Sequence, residues 1–66
     1  MKITDALNKL SSSSPFMRRK SWHGGPIISV RNEILYIHSH FNDPIGKLWT
    51  PTRTELMAKD WEVMKA

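Results

Sequence analysis

A basic run, Arg18-Arg19-Lys20, leads into Trp22 and then into His23-Gly24-Gly25-Pro26. Guanidinium groups bind phosphate oxygens through charge-assisted hydrogen bonds. An indole face accepts a nucleobase by stacking, which contributes about 1–3 kcal/mol per base. Adjacent glycines let the backbone come close to a ligand. Together these residue types suit a nucleotide, with Arg18 and Arg19 toward phosphates and Trp22 under a base. The same residues have a plainer use, in which Trp22 caps a sheet edge and the basic run is a solvated face. Spacing alone leaves both open. Trp49 and Trp61 flank a short helical stretch and suit a clamp that holds it on a sheet. Asp60 sits just before Trp61 at a helix-to-strand junction. Its carboxylate can accept hydrogen bonds there from local backbone amides or from a ligand's amine or hydroxyl.

Other chemistries lack their parts. Ser11 to Ser14 carry no nucleophile elbow, and Asp5, Asp43 and Asp60 stand in unrelated contexts, so no catalytic residue is expected. His38 and His40 share a face if their strand continues to Phe41, but no third ligand has suitable spacing and no metal is expected. Walker and dinucleotide-binding glycine motifs are absent, and no cofactor is expected. With no cysteine, disulfides and thiolate metal sites are excluded. A hydrolase is therefore hard to assemble, and binding fits better than turnover.

The elements that position these residues must come from a short chain. Sixty-six residues allow one domain, spanning residues 1–66. A chain of this size buries only about 60% of its unfolded surface. Hydrophobic residues make up 39%, so the core is marginal for a monomer. Self-association is the common remedy once disulfides are excluded. Ten Lys and Arg against six Asp and Glu give a net charge of +4, which favours an anionic partner. No apolar run approaches a membrane span, and the first residues lack the apolar core of a signal peptide. A cytoplasmic protein that does not engage a membrane is expected.

Ile3, Ala6, Leu7 and Leu10 recur at helical spacing and predict a helix from about Asp5 to Leu10, capped by Thr4. The serine run is a short connection ending at Pro15. Phe16 to Arg19 reads as a strand. Ile27–Val30 and Glu33–His38 read as a hairpin around Arg31-Asn32. Lys47-Leu48-Trp49 begins another short strand, stopped by Pro51. Thr52 and Glu55 match a capping box for a helix of one or two turns. Asp60 to Met64 alternates as a final edge strand, with Trp61 and Val63 on one side. The fold class is α+β: a small antiparallel β-sheet with a short N-terminal helix and a short helix before the last strand.

Two strings in this order carry a resemblance. The first is Arg-x-x-Trp-x-Gly, present as Arg19-Lys20-Ser21-Trp22-His23-Gly24. The second is Trp-x-Pro-Thr-x-x-x-Leu-x-Ala-x-Asp-Trp-Glu-Val, running from Trp49 to Val63. With the leading amphipathic helix, nearly the whole chain resembles a Thoeris anti-defence family of phage and prophage sponge proteins, the second of that kind. The resemblance implies a homotetramer with ligand sites between protomers. It also implies sequestration, without cleavage, of a cyclic ADP-ribose-type signal or, in some members, a cyclic oligonucleotide. By this likeness Trp22 matches the base-stacking tryptophan, and Asp60 matches an acidic position of the ligand site. Trp49 matches a tryptophan that lines the site or packs beside it. His23 stands where Asn is common, and Ser11 to Ser14 replace a Gly-Lys type of turn.

The resulting expectation is a non-enzymatic, homodimeric or homotetrameric protein that binds a cyclic nucleotide through Trp22, Arg18, Arg19, Trp49 and Asp60. The alternatives are a small basic nucleic-acid-binding module, a protein-binding inhibitor anchored by its tryptophans, and a nucleotide hydrolase.

Overall fold

A computed structural model describes residues 1–22, 24–40 and 42–65. Expectations resting on His23 and Phe41 lie outside the described residues. The elements run α1 (Ile3–Lys9), β1 (Phe16–Arg19), β2 (Ile27–Arg31), β3 (Ile34–His38), β4 (Lys47–Leu48), α2 (Arg53–Met57) and β5 (Trp61–Met64). All strand pairs are antiparallel, in one five-stranded sheet ordered β4-β3-β2-β1-β5. This is the α+β architecture read from the residues, with β5 at an edge.

Register decides which side chains share a face. Met17 lies opposite both Ile28 and Val63, Ile28 opposite Ile37, and Arg19 opposite Trp61. Because strand side chains alternate, these residues point to one side of the sheet. There α1 supplies Ile3 and Ala6, and the core of Ile3, Ala6, Met17, Ile28 and Trp61 is fully buried. Phe16, Arg18, Ile27, Ser29, Tyr36, His38 and Glu62 occupy the other face by the same alternation. At its His38 end that face is met by Asp43 and Gly46.

Helix α1 begins two residues before the expected start. Lys2 is its extended N-cap, no side chain caps it, and Thr4 is inside the helix. Tertiary contacts set this start. Trp61 N–H donates to Met1 O at 3.0 Å, and Ala6 N–H donates to Lys2 O at 3.1 Å. Docking the first turn on β5 buries Ile3, which a start at Asp5 would leave out. The serine connection closes on itself, with Ser11 N–H to Ser14 O at 3.1 Å and Ser14 N–H to Ser11 O at 3.2 Å.

The β2–β3 turn also differs by one residue. Arg31 pairs with Ile34, so the two-residue loop is Asn32-Glu33 instead of Arg31-Asn32. Both loop residues have positive φ, 51° and 67°, as a type I′ hairpin requires. A slip of one residue would turn the core-facing Ile28, Leu35 and Ile37 outward. Arg31 instead stays in the ladder and stacks on Tyr36, with its guanidinium carbon 4.0 Å from the ring centroid.

Helix α2 carries the expected capping box. Glu55 N–H donates to Thr52 Oγ1 at 3.3 Å, and Thr52 N–H donates to Glu55 Oε1 at 2.8 Å. No α2 side chain is buried. What ties it to the core is Trp61, whose Nε1–H donates to Glu55 O at 2.9 Å.

Strand β3 ends at His38. Its ring is buried, with Nε2 2.6 Å from Ser29 Oγ and Nδ1 2.8 Å from Asp43 O. A carbonyl only accepts, so Nδ1 carries a proton, and Nε2 and the Ser29 hydroxyl share the second hydrogen bond. His40 is exposed, and its Nδ1 accepts from Asn42 N–H at 3.0 Å. Among the described residues no group of three His, Cys, Asp or Glu is arranged to hold a metal. Also among them, no helix is long and apolar enough to cross a membrane.

Candidate functional site

Trp22 stands just past the end of β1, where the chain turns back toward β2. The turn is built by Trp22 N–H to Arg19 O at 3.0 Å and Gly25 N–H to Trp22 O at 3.1 Å. Gly24 supplies the positive φ, 60°, that a side-chain-bearing residue resists. This geometry turns the Trp22 ring to the helix side of the sheet, where it meets the other two tryptophans.

The three indoles pack edge to face. Trp22 and Trp61 centroids are 5.3 Å apart, Trp49 and Trp61 5.9 Å, and Trp22 and Trp49 6.2 Å, with interplanar angles of 78°, 67° and 88°. These values fit the T-shaped arrangement that aromatic quadrupoles favour. Trp61 is wholly buried and forms the floor, while Trp22 and Trp49 are half-buried above it. Trp22 is thus at an element end, yet it is packed on the core and is not a free ring.

Beside this cluster lies an ion pair. Arg19 Nε–H donates to Asp60 Oδ1 at 2.8 Å, and Ser21 N–H donates to Asp60 Oδ2 at 3.3 Å. Lys20 N–H donates to the Asp60 carbonyl at 2.9 Å. The Arg19 hydrogen bond is the main cause holding the Asp60 carboxyl below its ordinary range, with Ser21 N–H adding to it. The Asp60 side chain keeps 32% of its surface. An exposed pair of this kind contributes little to stability; it fixes where the guanidinium sits. Among the described residues no acceptor is bonded to the Arg19 Nη groups, which remain able to meet an anion.

The expected site residues therefore divide. Trp22, Trp49, Arg19 and Asp60 come together at one end of the helix-side face. Arg18 does not join them. It pairs across the ladder with Glu62, 3.7 Å from Nε to Oε2, on the opposite face. Adjacent residues of one strand point opposite ways, so Arg18 and Arg19 are not brought to one ligand within a single chain. By sequence Trp61 suits a clamp, and its alternation with Val63 signals an inward ring; its contact with Trp22 follows only from the fold.

Two hollows occur elsewhere. One, of ≈ 300 Å³, is lined by Pro26, Ile37, Ser39, Asp43 and Lys47. The other, of ≈ 320 Å³, lies between α1 and α2 against Ile3, Leu56 and Met57. Neither reaches Trp22 or Arg19. In one chain the tryptophan–arginine group is a part-exposed ledge, with Trp22 and Trp49 half-buried and the Arg19 and Asp60 side chains keeping 22% and 32% of their surface. A family model for the Thoeris anti-defense 2-like domain matches residues 1–64.

The chain belongs to the Thoeris anti-defense 2-like family.

No curated protein and no solved structure gives a match. Membership supports a role in countering Thoeris defence and is consistent with a protein that is not an enzyme. Within this Thoeris anti-defense 2-like chain, the specific strings around Trp22 and from Trp49 to Val63 coincide with the ledge. The two segments that carried the resemblance, far apart in sequence, meet through the β1–β5 ladder.

Proposed function

We propose that the protein is a sponge: it binds a cyclic ADP-ribose-type signalling nucleotide, or a cyclic oligonucleotide, and holds it without cleaving it. The reading is supported above all by the Arg19 guanidinium, which Asp60 steadies in the same turn that carries the half-buried Trp22, whose N–H bonds to Arg19 O. A base stacks on Trp22, Arg19 meets the phosphates through its Nη groups, and Trp49 lines the same ledge. Asp60 acts first by orienting Arg19, and its remaining lone pairs accept from a base or ribose. Because the ledge is part-exposed in one chain, a second copy closes it over the ligand, in a homodimer or homotetramer. The setting is the cytoplasm of a host cell.

The test is to denature the purified protein and analyse released small molecules by mass spectrometry, with calorimetric binding of a cyclic ADP-ribose-type nucleotide alongside. Intact cyclic nucleotide in stoichiometric amount is expected. Recovery of cleaved products would make the protein a hydrolase. The net charge of +4 favours a second reading, a nucleic-acid-binding module. Affinity for a polymer falls steeply with salt as counterions are released, whereas a nucleotide held on the ledge shows a shallow dependence.

A further inference from the structure

Helices α1 and α2 leave a hollow between them, and the geometry points to a small apolar anion, such as a medium-chain acyl carboxylate, as the ligand that fills it. The hollow measures ≈ 320 Å³ and is walled by Ile3 of α1 and by Leu56, Met57 and Ala58 at the end of α2. Helix α2 buries none of its side chains. Leu56 keeps 49% of its surface and Met57 68%. Apolar groups left in water are a cost, and a helix this short has no stability of its own to offset it. An apolar occupant removes that cost. Sites for small molecules measure about 300–1,000 Å³, so the hollow has room for one short chain or ring. Met57 is unbranched and adapts its thioether to the shape that enters.

Charge selects the head group. Lys2 and Lys59 also line the hollow. Both are exposed, and among the described residues neither ammonium has an ion-pair or hydrogen-bond partner. Lysine stems lie along apolar surface while their ammonium groups stay at the water edge. The ligand's anionic head therefore meets Lys2 and Lys59, and its body lies against Ile3, Leu56 and Met57. Among the described residues no carboxylate lines this hollow. That of Glu55, on α2, is turned back to accept from Thr52 N–H. The other hollow is different: Asp43 lines it, and its carboxylate repels an anion. The α1–α2 site does not include Trp22 or Arg19, so this inference does not rest on the sponge reading.

Sodium decanoate, kept below its micelle concentration, tests the site on the full chain, with the methyl resonances of Ile3 and Met57 as readout. Saturable shifts at both are expected. Decanol, with the same chain and no charge, is expected to bind more weakly. Replacing Lys2→Gln and Lys59→Gln together leaves the apolar walls intact. That double variant is expected to bind decanoate about tenfold more weakly, since each exposed ion pair contributes about threefold. Met57→Glu is expected to abolish binding, and circular dichroism melts establish that each variant is folded. Shifts that never saturate overturn the proposal. So does decanol that binds as tightly as decanoate, or a folded double lysine variant that binds like the parent. Shifts at Ile37 in place of Ile3 and Met57 overturn it by moving the ligand to the other hollow. Vesicles of anionic phospholipid that shift these methyl groups where decanoate does not would make the patch a membrane contact and overturn it too.

Discussion

Replacing Trp22 tests the ledge, but the packing makes simple truncation ambiguous. The ring makes two edge-to-face contacts, at 5.3 Å to Trp61 and 6.2 Å to Trp49. Each such pair contributes about 0.5–1.5 kcal/mol beyond area burial, so the two together contribute about 1–3 kcal/mol. Removing a fully buried tryptophan costs about 3–5 kcal/mol. For a half-buried one, Trp22→Ala is expected to cost about 2–3 kcal/mol of stability. In a domain of this size that lowers the melting temperature by about 10–20 °C. Lost binding could then reflect unfolding. Two milder variants separate the effects. Trp22→Phe keeps an aromatic face, and Trp22→Leu keeps apolar bulk but no stacking surface. By calorimetry on samples shown folded by melting, Trp22→Phe should retain most affinity for a cyclic ADP-ribose-type nucleotide. Trp22→Leu should lose about 1–3 kcal/mol, roughly tenfold or more. If folded Trp22→Leu binds like the parent, the ring is only a core lid and the ledge is not the site.

Glu33 carries a φ of 67° in a type I′ turn, so Glu33→Gly should raise stability by about 0.5–1 kcal/mol after the entropy of the added glycine is offset; an unchanged or lower melting temperature refutes the turn assignment. Thr52→Ala removes the hydroxyl that accepts from Glu55 N–H and should cost about 1 kcal/mol in thermal or urea unfolding. The pKa of the Asp60 carboxyl is held below its ordinary value, first by the Arg19 hydrogen bond, so its contribution is present above the ordinary value and is lost as pH falls through the lower folded value. Asp60→Asn should flatten the acid limb of stability against pH, and an unaltered limb means that Arg19 and Asp60 are not coupled in solution. The same variant should weaken nucleotide binding if Asp60 positions Arg19, and Arg19→Lys should do so too, because an ammonium cannot keep the Nε contact while offering a second edge to phosphate.

Local chemistry was enough for much of this molecule. Apolar alternation set the strands, because a half-buried strand needs period two. Thr52 and Glu55 announced the start of α2, because the capping box is satisfied within one turn. The strings that hold Trp22, Trp49 and Asp60 are also those that carry the family resemblance. What the sequence could not settle depended on partners distant along the chain. The start of α1 follows from Trp61 bonding to Met1 O across the fold, and the hairpin shifted by one residue because core burial outweighs the reluctance of Glu33 to take a positive φ. Arg18 and Arg19 look alike as neighbours, yet strand alternation and the β1–β5 register send one to Glu62 and the other to Asp60. The basic and glycine-rich surroundings of Trp22 leave open whether it stacks on a ligand or caps the sheet. Only the tertiary structure, by bringing β5 alongside β1, put Trp61 beneath it, because packing between residues some forty positions apart has no signature in either segment alone.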